Sequence, residues 1–171
     1  HGITRDELAM EGVPDGPWYY EQVDLGYNYR MTDLQAALGL SQMDRLEEFV
    51  ATRNRLATRY DNKLKDLPLT LPFQSENTYS SFHLYVIRLN LDLIKKSHKQ
   101  VFQEMRDKGI GVNLHYIPVH IHPYYASMGF KLGDFPEAEK YYREAISIPM
   151  FHGLKDDEQD KVIQIINEVL A

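Results

Sequence analysis

The stretch LGYNYRMTDLQAALGLSQMDRLEEFVATRNRLATRYDNKL, residues 25–64, decides how this chain is built. Thr32 stands before an apolar-periodic run, and Gln35 lies three residues further on. That spacing is a capping box, in which two side chains satisfy free backbone N–H groups at a helix start. Asp33 follows in the first turn, where a carboxylate complements the positive end of the helix dipole. Leu46, Phe49, Val50, Leu56, Ala57, Tyr60, Leu64 and Leu67 then recur at three- and four-residue steps. Such a stripe is one apolar helix face, and Pro68 and Pro72 end it. A helix over 33–66 would run roughly 50 Å at 1.5 Å per residue. It is long enough to bridge two lobes or two subunits, with a kink allowed. Ala36, Ala37 and Gly39 leave its early part thin on one side, which suits close packing against a neighbouring element.

On the N-terminal side, GVPDGPWYY (12–20) combines turn chemistry with an aromatic cluster, so 1–31 reads as irregular. On the other side, SFHLYVIRLN (81–90) is rich in aromatic and β-branched residues and reads as a buried strand. Ser97 can cap a helix carrying Val101, Phe102 and Met105, and Gly109 supplies its stop. IGVNLHYIPVH (110–120) reads as a second strand running into a loop, and PYYASMG (123–129) as a short helix or turn. Pro136 suits a helix start. ISIPMF (146–151) reads as a third strand, and Asp156 as the cap of a last helix that buries Val162, Ile163, Ile165, Ile166, Val169 and Leu170. From residue 81 the order is β-α-β-α-α-β-α. The expected fold class is α+β: a short sheet covered by helices, preceded by a long connecting helix. The expected division falls at 1–67 and 68–171.

The 171 residues can form one domain with a substantial core, or a small domain plus part of another. A content of 43% hydrophobic and 26% charged residues argues against disorder. The net charge of −6 argues against nucleic acid or an anionic membrane as the main partner. Cysteine is absent, which removes disulfides, thiolate metal sites and a Cys nucleophile, and fits a cytoplasmic location. No apolar run reaches the roughly 20 residues of a membrane span. The chain opens on His1 rather than Met, so a processed chain or a fragment is expected.

Three groups of residues could carry chemistry. The first is Tyr27-Asn28-Tyr29-Arg30 at the mouth of the long helix. A helix N-terminus attracts phosphate or carboxylate, Arg30 can clamp such a group in bidentate fashion, and Asn28 adds a neutral donor. The residues leave a second reading equally open, in which the tyrosines pack at an interface and Arg30 pairs with Asp33. The second group is His115, His120 and His122, with Tyr116 between. Three histidines in eight residues raise a metal, and His120 and His122 form an H-x-H pair. No acid lies close in sequence to support it, so a role lining a polar pocket or capping a loop is favoured and no metal is expected. The third is His83, which reads as a core histidine. No Ser-His-Asp elbow, Gly-rich phosphate loop or HExxH motif is present.

These stretches, taken in order, resemble the C-terminal portion of the DegT/DnrJ/EryC1/StrS family. Besides 25–64 they are HGITRD (1–6), SSFHLYVIRL (80–89), KGIGVNLHYIPVHIHPYYASMGF (108–130), GDFPEAEKYYREAISIPMF (133–151) and LKDDEQDKVIQII (154–166). Members are pyridoxal-phosphate aminotransferases acting on nucleotide-linked keto-sugars. The resemblance is nearest to those that aminate a UDP-linked 4-keto-6-deoxy-N-acetylhexosamine for bacterial surface glycans. It implies the small C-terminal domain of a fold-type I aminotransferase, with pyridoxal 5'-phosphate as cofactor, glutamate as amino donor, and a UDP- or dTDP-linked sugar as acceptor. A homodimer is implied, with Asn28 reaching the cofactor phosphate of the other subunit. Arg30 would lie near the anionic or sugar groups of the substrate, His115 and Tyr116 would line its pocket, and His120 is assigned there more loosely. The family's Schiff-base lysine belongs to an upstream half. None of the ten lysines here (63, 65, 95, 96, 99, 108, 131, 140, 155 and 161) has its context. The chain alone is therefore expected to be inactive, either as the C-terminal piece of the enzyme or as a binding or regulatory module that kept the fold.

Overall fold

In the computed structural model, residues 2–14 and 16–170 are described, and His1, Asp15 and Ala171 lie outside them. The chain divides into two compact units, His1–Arg45 and Leu46–Ala171.

In the first unit, two short strands replace part of the irregular stretch expected over 1–31. Strand β1 (Ile3–Thr4) pairs antiparallel with β2 (Glu21–Gln22), Ile3 opposite Gln22. Gly2 adopts φ +73°, and a Cβ there would lie 2.0 Å from the Asp24 carbonyl oxygen, so only glycine fits. The Glu21 carboxylate gathers the intervening loop. It accepts from the backbone N–H groups of Glu11 and Gly12 and from the Tyr19 hydroxyl, each at 2.7 Å. Those donors, the Glu11 N–H foremost, hold its carboxyl below the usual range. Trp18 is largely exposed.

Helix α1 (Asp33–Met43) starts at the capping box expected from sequence. Thr32 Oγ1 accepts from the Gln35 N–H at 3.3 Å, and Gln35 Oε1 accepts from the Thr32 N–H at 2.9 Å. Every residue of α1 is exposed, Leu34 at 85%. Among the described residues of the first unit nothing lies within 4 Å of a Cβ built on Gly39, so the packing expected along this thin face is not made within that unit. The expected continuous helix is interrupted at Asp44–Arg45. There the N–H of Arg45 turns to the Gln42 carbonyl at 3.2 Å, which breaks the i→i−4 ladder.

Helix α2 (Leu46–Leu64) belongs to the second unit. Its stripe buries Leu56, Ala57, Tyr60 and Leu64. A three-stranded antiparallel sheet follows: β3 (Leu69–Thr70), β4 (Tyr85–Leu89) and β5 (Ala145–Ile148), with β4 central. Tyr85 stands opposite Ile148, Val86 opposite Ser147 and Leu69 opposite Leu89. Tyr85, Ile87 and Leu89 alternate into the core, the period a half-covered strand requires. Helices α2, α3 (His98–Asp107) and, beyond the short α4 (Pro123–Ala126) and α5 (Pro136–Glu144), helix α6 (Asp156–Leu170) supply the rest of that core through Val101, Met105, Val162, Ile166 and Val169. Helix α5 lies by the other face, where Arg88 of β4 reaches Glu144 at 2.6 Å and stacks 5.9 Å over the Tyr141 ring. Pro136 opens α5, as expected.

Several sequence expectations need correction. The segment 110–120 is not a strand: it meets the sheet at one bridge, Asn113 with Ser147, and most of its residues run as loop. The first full strand begins at Tyr85 rather than Ser81, because Phe82 at φ +44° turns the chain. His83 is consequently exposed, not a core residue. Asp156 is the first residue of α6 rather than its cap. Its carboxylate pairs with Arg55 at 2.7 Å, while Glu158 accepts from the Lys155 N–H at 2.9 Å. Ser97 caps α3 as expected, in a box with Gln100, and Gly109 follows it at φ +85°.

Candidate functional site

In the first unit the candidate residues occupy the non-helical approach to α1. The rings of Tyr27 and Tyr29 stack with centroids 5.2 Å apart and planes 14° apart. All four residues are exposed. Among the described residues Arg30 has no ion-pair partner, so the pairing with Asp33 considered from sequence is not formed. A guanidinium and a carboxamide, neither with a side-chain partner among the described residues, stand just before the N–H groups of a helix start. Phosphate and carboxylate are the groups such an arrangement suits.

In the second unit, the segment after α3 is fastened to β5. The Asn113 N–H donates to the Ser147 carbonyl at 3.1 Å, and the Ser147 N–H donates to the Asn113 carbonyl at 2.8 Å. Two residues on, His115 Nδ1 lies 2.8 Å from Ser147 Oγ. His115 is half-buried, and Tyr116 is exposed. Their rings meet edge to face at 4.6 Å, across a cis peptide. The structure thus brings His115 and Tyr116 together as one ledge.

His120 is placed differently. It sits in a single turn of 3-10 helix, Val119–Ile121, and is buried. Its Nε2 lies 2.9 Å from Glu139 Oε1 on α5. Glu139 is buried too, and accepts from the Gly133 N–H at 2.7 Å. That N–H is the main reason its carboxyl sits below the usual range, with His120 adding to the effect. So an acid does lie beside His120, but it arrives from a different helix, 19 residues on, where sequence proximity could not reveal it. Beside the pair opens an apolar cavity of about 330 Å³ lined by Val119, His120, Tyr125, Phe130 and Phe135. His122 is exposed. Among the described residues no three His, Asp or Glu side chains converge to hold a metal ion.

Sequence reasoning missed Ser147 and Glu139. Ser147 had a signal: it is the polar residue in AISI, a strand whose four residues are all buried, and buried polar groups are informative. Glu139 had none, because nothing local marks which acid of PEAEKYYRE turns inward.

Nine of the ten lysines are exposed. The tenth, Lys96, is half-buried and donates to Glu104 at 2.7 Å and to the Val169 carbonyl at 2.9 Å. Lys108 is held above its ordinary value by Glu168. A lysine that forms a Schiff base needs the opposite, desolvation or a neighbouring cation that favours the neutral amine. None here fits that role.

Comparison with known proteins shows what the chain is similar to. The model of the DegT/DnrJ/EryC1/StrS aminotransferase family matches residues 5–167. The spore coat polysaccharide biosynthesis protein SpsC of Bacillus subtilis is 37% identical over 99% of this chain and 44% of its own length. An uncharacterized protein of Methanocaldococcus jannaschii is 36% identical over 100% of this chain and 45% of its own. Among solved structures, Spr1654 of Streptococcus pneumoniae in its PMP-form, classed as a sugar aminotransferase, superposes with a TM-score of 0.85 at 31% identity. That match covers 99% of this chain and 42% of Spr1654. The chain spans less than half the length of the curated relatives it matches.

Proposed function

The chain belongs to the DegT/DnrJ/EryC1/StrS aminotransferase family, and from that premise we propose that it is the C-terminal portion of a sugar-nucleotide aminotransferase. The whole enzyme moves an amino group from glutamate to a UDP- or dTDP-linked keto-sugar, in the cytoplasm, for bacterial surface glycans. The observation that carries this reading is the near end-to-end match, in sequence and in fold, to proteins more than twice as long. The polysaccharide role in the name of SpsC supports the glycan assignment.

The family works with pyridoxal 5'-phosphate, which when bound supplies the electron sink for amino transfer. The residues of this chain fit the periphery of such a cofactor and not its covalent anchor. Asn28 is a neutral donor with its side chain exposed, so it can bond a phosphate on another subunit of a homodimer. Arg30 offers a fork that matches the anionic groups of a nucleotide sugar. His115 and Tyr116 form the substrate-side wall. His120 acts through Glu139, which ties the 119–121 turn to α5 and keeps that wall in place. With no suitable lysine, the chain by itself is inactive.

The test uses the full-length protein. It is incubated with pyridoxal phosphate, reduced with borohydride, and mapped by mass. One pyridoxyl adduct on a lysine outside this chain, together with glutamate-dependent amination of a nucleotide-linked keto-sugar, is the expected result. Absence of any adduct would overturn the enzyme reading and leave a binding module.

A further inference from the structure

We infer that Ser147 is a positioning residue for His115: its hydroxyl donates to Nδ1 and so fixes the imidazole in the tautomer that presents an N–H at Nε2. The role of that N–H, bonding an acceptor oxygen of the substrate, rests on the function proposed above. The tautomer itself rests on geometry alone.

Ser147 is 5% exposed, in a strand covered at every position. Its backbone is already committed, bonding Asn113 through both its N–H and its carbonyl. What remains is the hydroxyl, which carries one hydrogen and two lone pairs. Among the described residues, His115 Nδ1 at 2.8 Å is the side-chain partner of Oγ. Two arrangements satisfy that distance. If Nδ1 carried the proton and donated to Oγ, the hydroxyl hydrogen of this buried serine would find no acceptor among the described residues. A buried donor left unpaired loses more than one such bond gains. If Oγ donates to an unprotonated Nδ1, both groups are satisfied. The neutral ring holds one proton, which must then sit on Nε2.

The backbone geometry makes this setting rigid. Asn113 is bonded to Ser147 from both sides of its peptide, and His115 follows two residues later. The same serine therefore sets both the position and the tautomer of the histidine. His115 so held is a hydrogen-bond donor at Nε2. It selects ligands that place an oxygen there, a sugar hydroxyl, carbonyl or phosphate oxygen.

The test is a ¹⁵N spectrum of the ring nitrogens in the labelled full-length protein, assigned by loss of signal in His115→Gln. The expected result is a pyridine-type Nδ1 and a pyrrole-type Nε2. The tautomer is read in the wild-type protein, and His115→Gln serves only to assign its signals. Ser147→Ala should mix the two tautomers and raise KM for the nucleotide sugar about threefold to tenfold, with kcat nearly unchanged, as expected for one hydrogen bond weakened. Ser147→Thr keeps the hydroxyl and should restore both readouts. A pyrrole-type Nδ1 in the wild type, or ring signals unmoved in Ser147→Ala, would overturn the inference. A full-length protein that aminates no nucleotide sugar would sink the proposed reaction, and the ring signals would still decide the tautomer.

Discussion

His120 and Glu139, nineteen residues apart in sequence, share a hydrogen bond of 2.9 Å with both side chains buried. The bond joins a loop to a helix, and Glu139 extends it to the Gly133 N–H. The ionised carboxylate is the form these donors favour, so its folded value lies below the ordinary 4.5. A group of this kind adds stability that is fully present above its unfolded value and is lost as pH falls through the folded one. Glu139→Gln should therefore be less stable than wild type at neutral pH. The gap should close as unfolding is followed from about pH 7 down to about pH 3. A gap that stays constant with pH would show that the carboxylate is not the source.

Asn28 and Arg30 should separate cofactor from substrate in the full-length enzyme. Asn28→Ala is expected to weaken pyridoxal phosphate binding about threefold to tenfold, one neutral hydrogen bond. Asn28→Asp should do more harm, since it sets a negative charge beside a phosphate. Arg30→Ala should raise KM for the sugar nucleotide about tenfold to hundredfold, the range for a bond to a charged group. Arg30→Lys should recover only part, because an ammonium lacks the fork. Cofactor titration and steady-state kinetics read the two effects independently.

Two capping boxes make a matched pair. Ser97 caps α3, whose Val101 and Met105 are in the core, so Ser97→Ala should cost about 1 kcal/mol of global stability. Thr32 caps α1, none of whose residues is buried. Thr32→Ala should cost its first turn a similar ~1 kcal/mol locally. Amide exchange in α1 should speed up while the unfolding midpoint of the second unit stays put.

Within the core, Leu56→Ala should cost about 2–5 kcal/mol, the range for an aliphatic side chain removed from a fully packed site. Tyr60→Phe keeps the ring and removes one bond, from the hydroxyl to the Pro149 carbonyl at 2.9 Å. Its expected cost is smaller, about 1–2 kcal/mol. Denaturant unfolding ranks the two.

The sequence was most readable where the controlling contacts are local. The box at Thr32, the cap at Ser97, the stop at Gly109 and the proline opening α5 each involve residues within a turn of one another. The apolar set of α6 was likewise readable from its period. Contacts made by the folded chain were not. Glu139 reaches His120 across 19 residues and Ser147 reaches His115 across 32, and no spacing rule connects either pair. The 110–120 segment has strand composition but touches β5 at one residue, and a strand is defined by its partner rather than by its own residues. The interruption at Asp44–Arg45 carries no proline or glycine, so periodicity ran straight through it.

Trp18 is the chain's one tryptophan, and it stands in the first unit. The largely aliphatic core of the second unit holds two tyrosines instead, Tyr60 and Tyr85, fully buried with their rings 5.0 Å apart. Tryptophan is therefore confined to the first unit, while paired phenols stand in both, Tyr27 with Tyr29 and Tyr60 with Tyr85. Indole emission will follow solvent and partners at the first unit alone, and a loss of phenolic near-ultraviolet dichroism that leaves this emission unchanged will report packing in the second. A single sample, read at two optical bands, can tell loosening of one unit from melting of the other without any label.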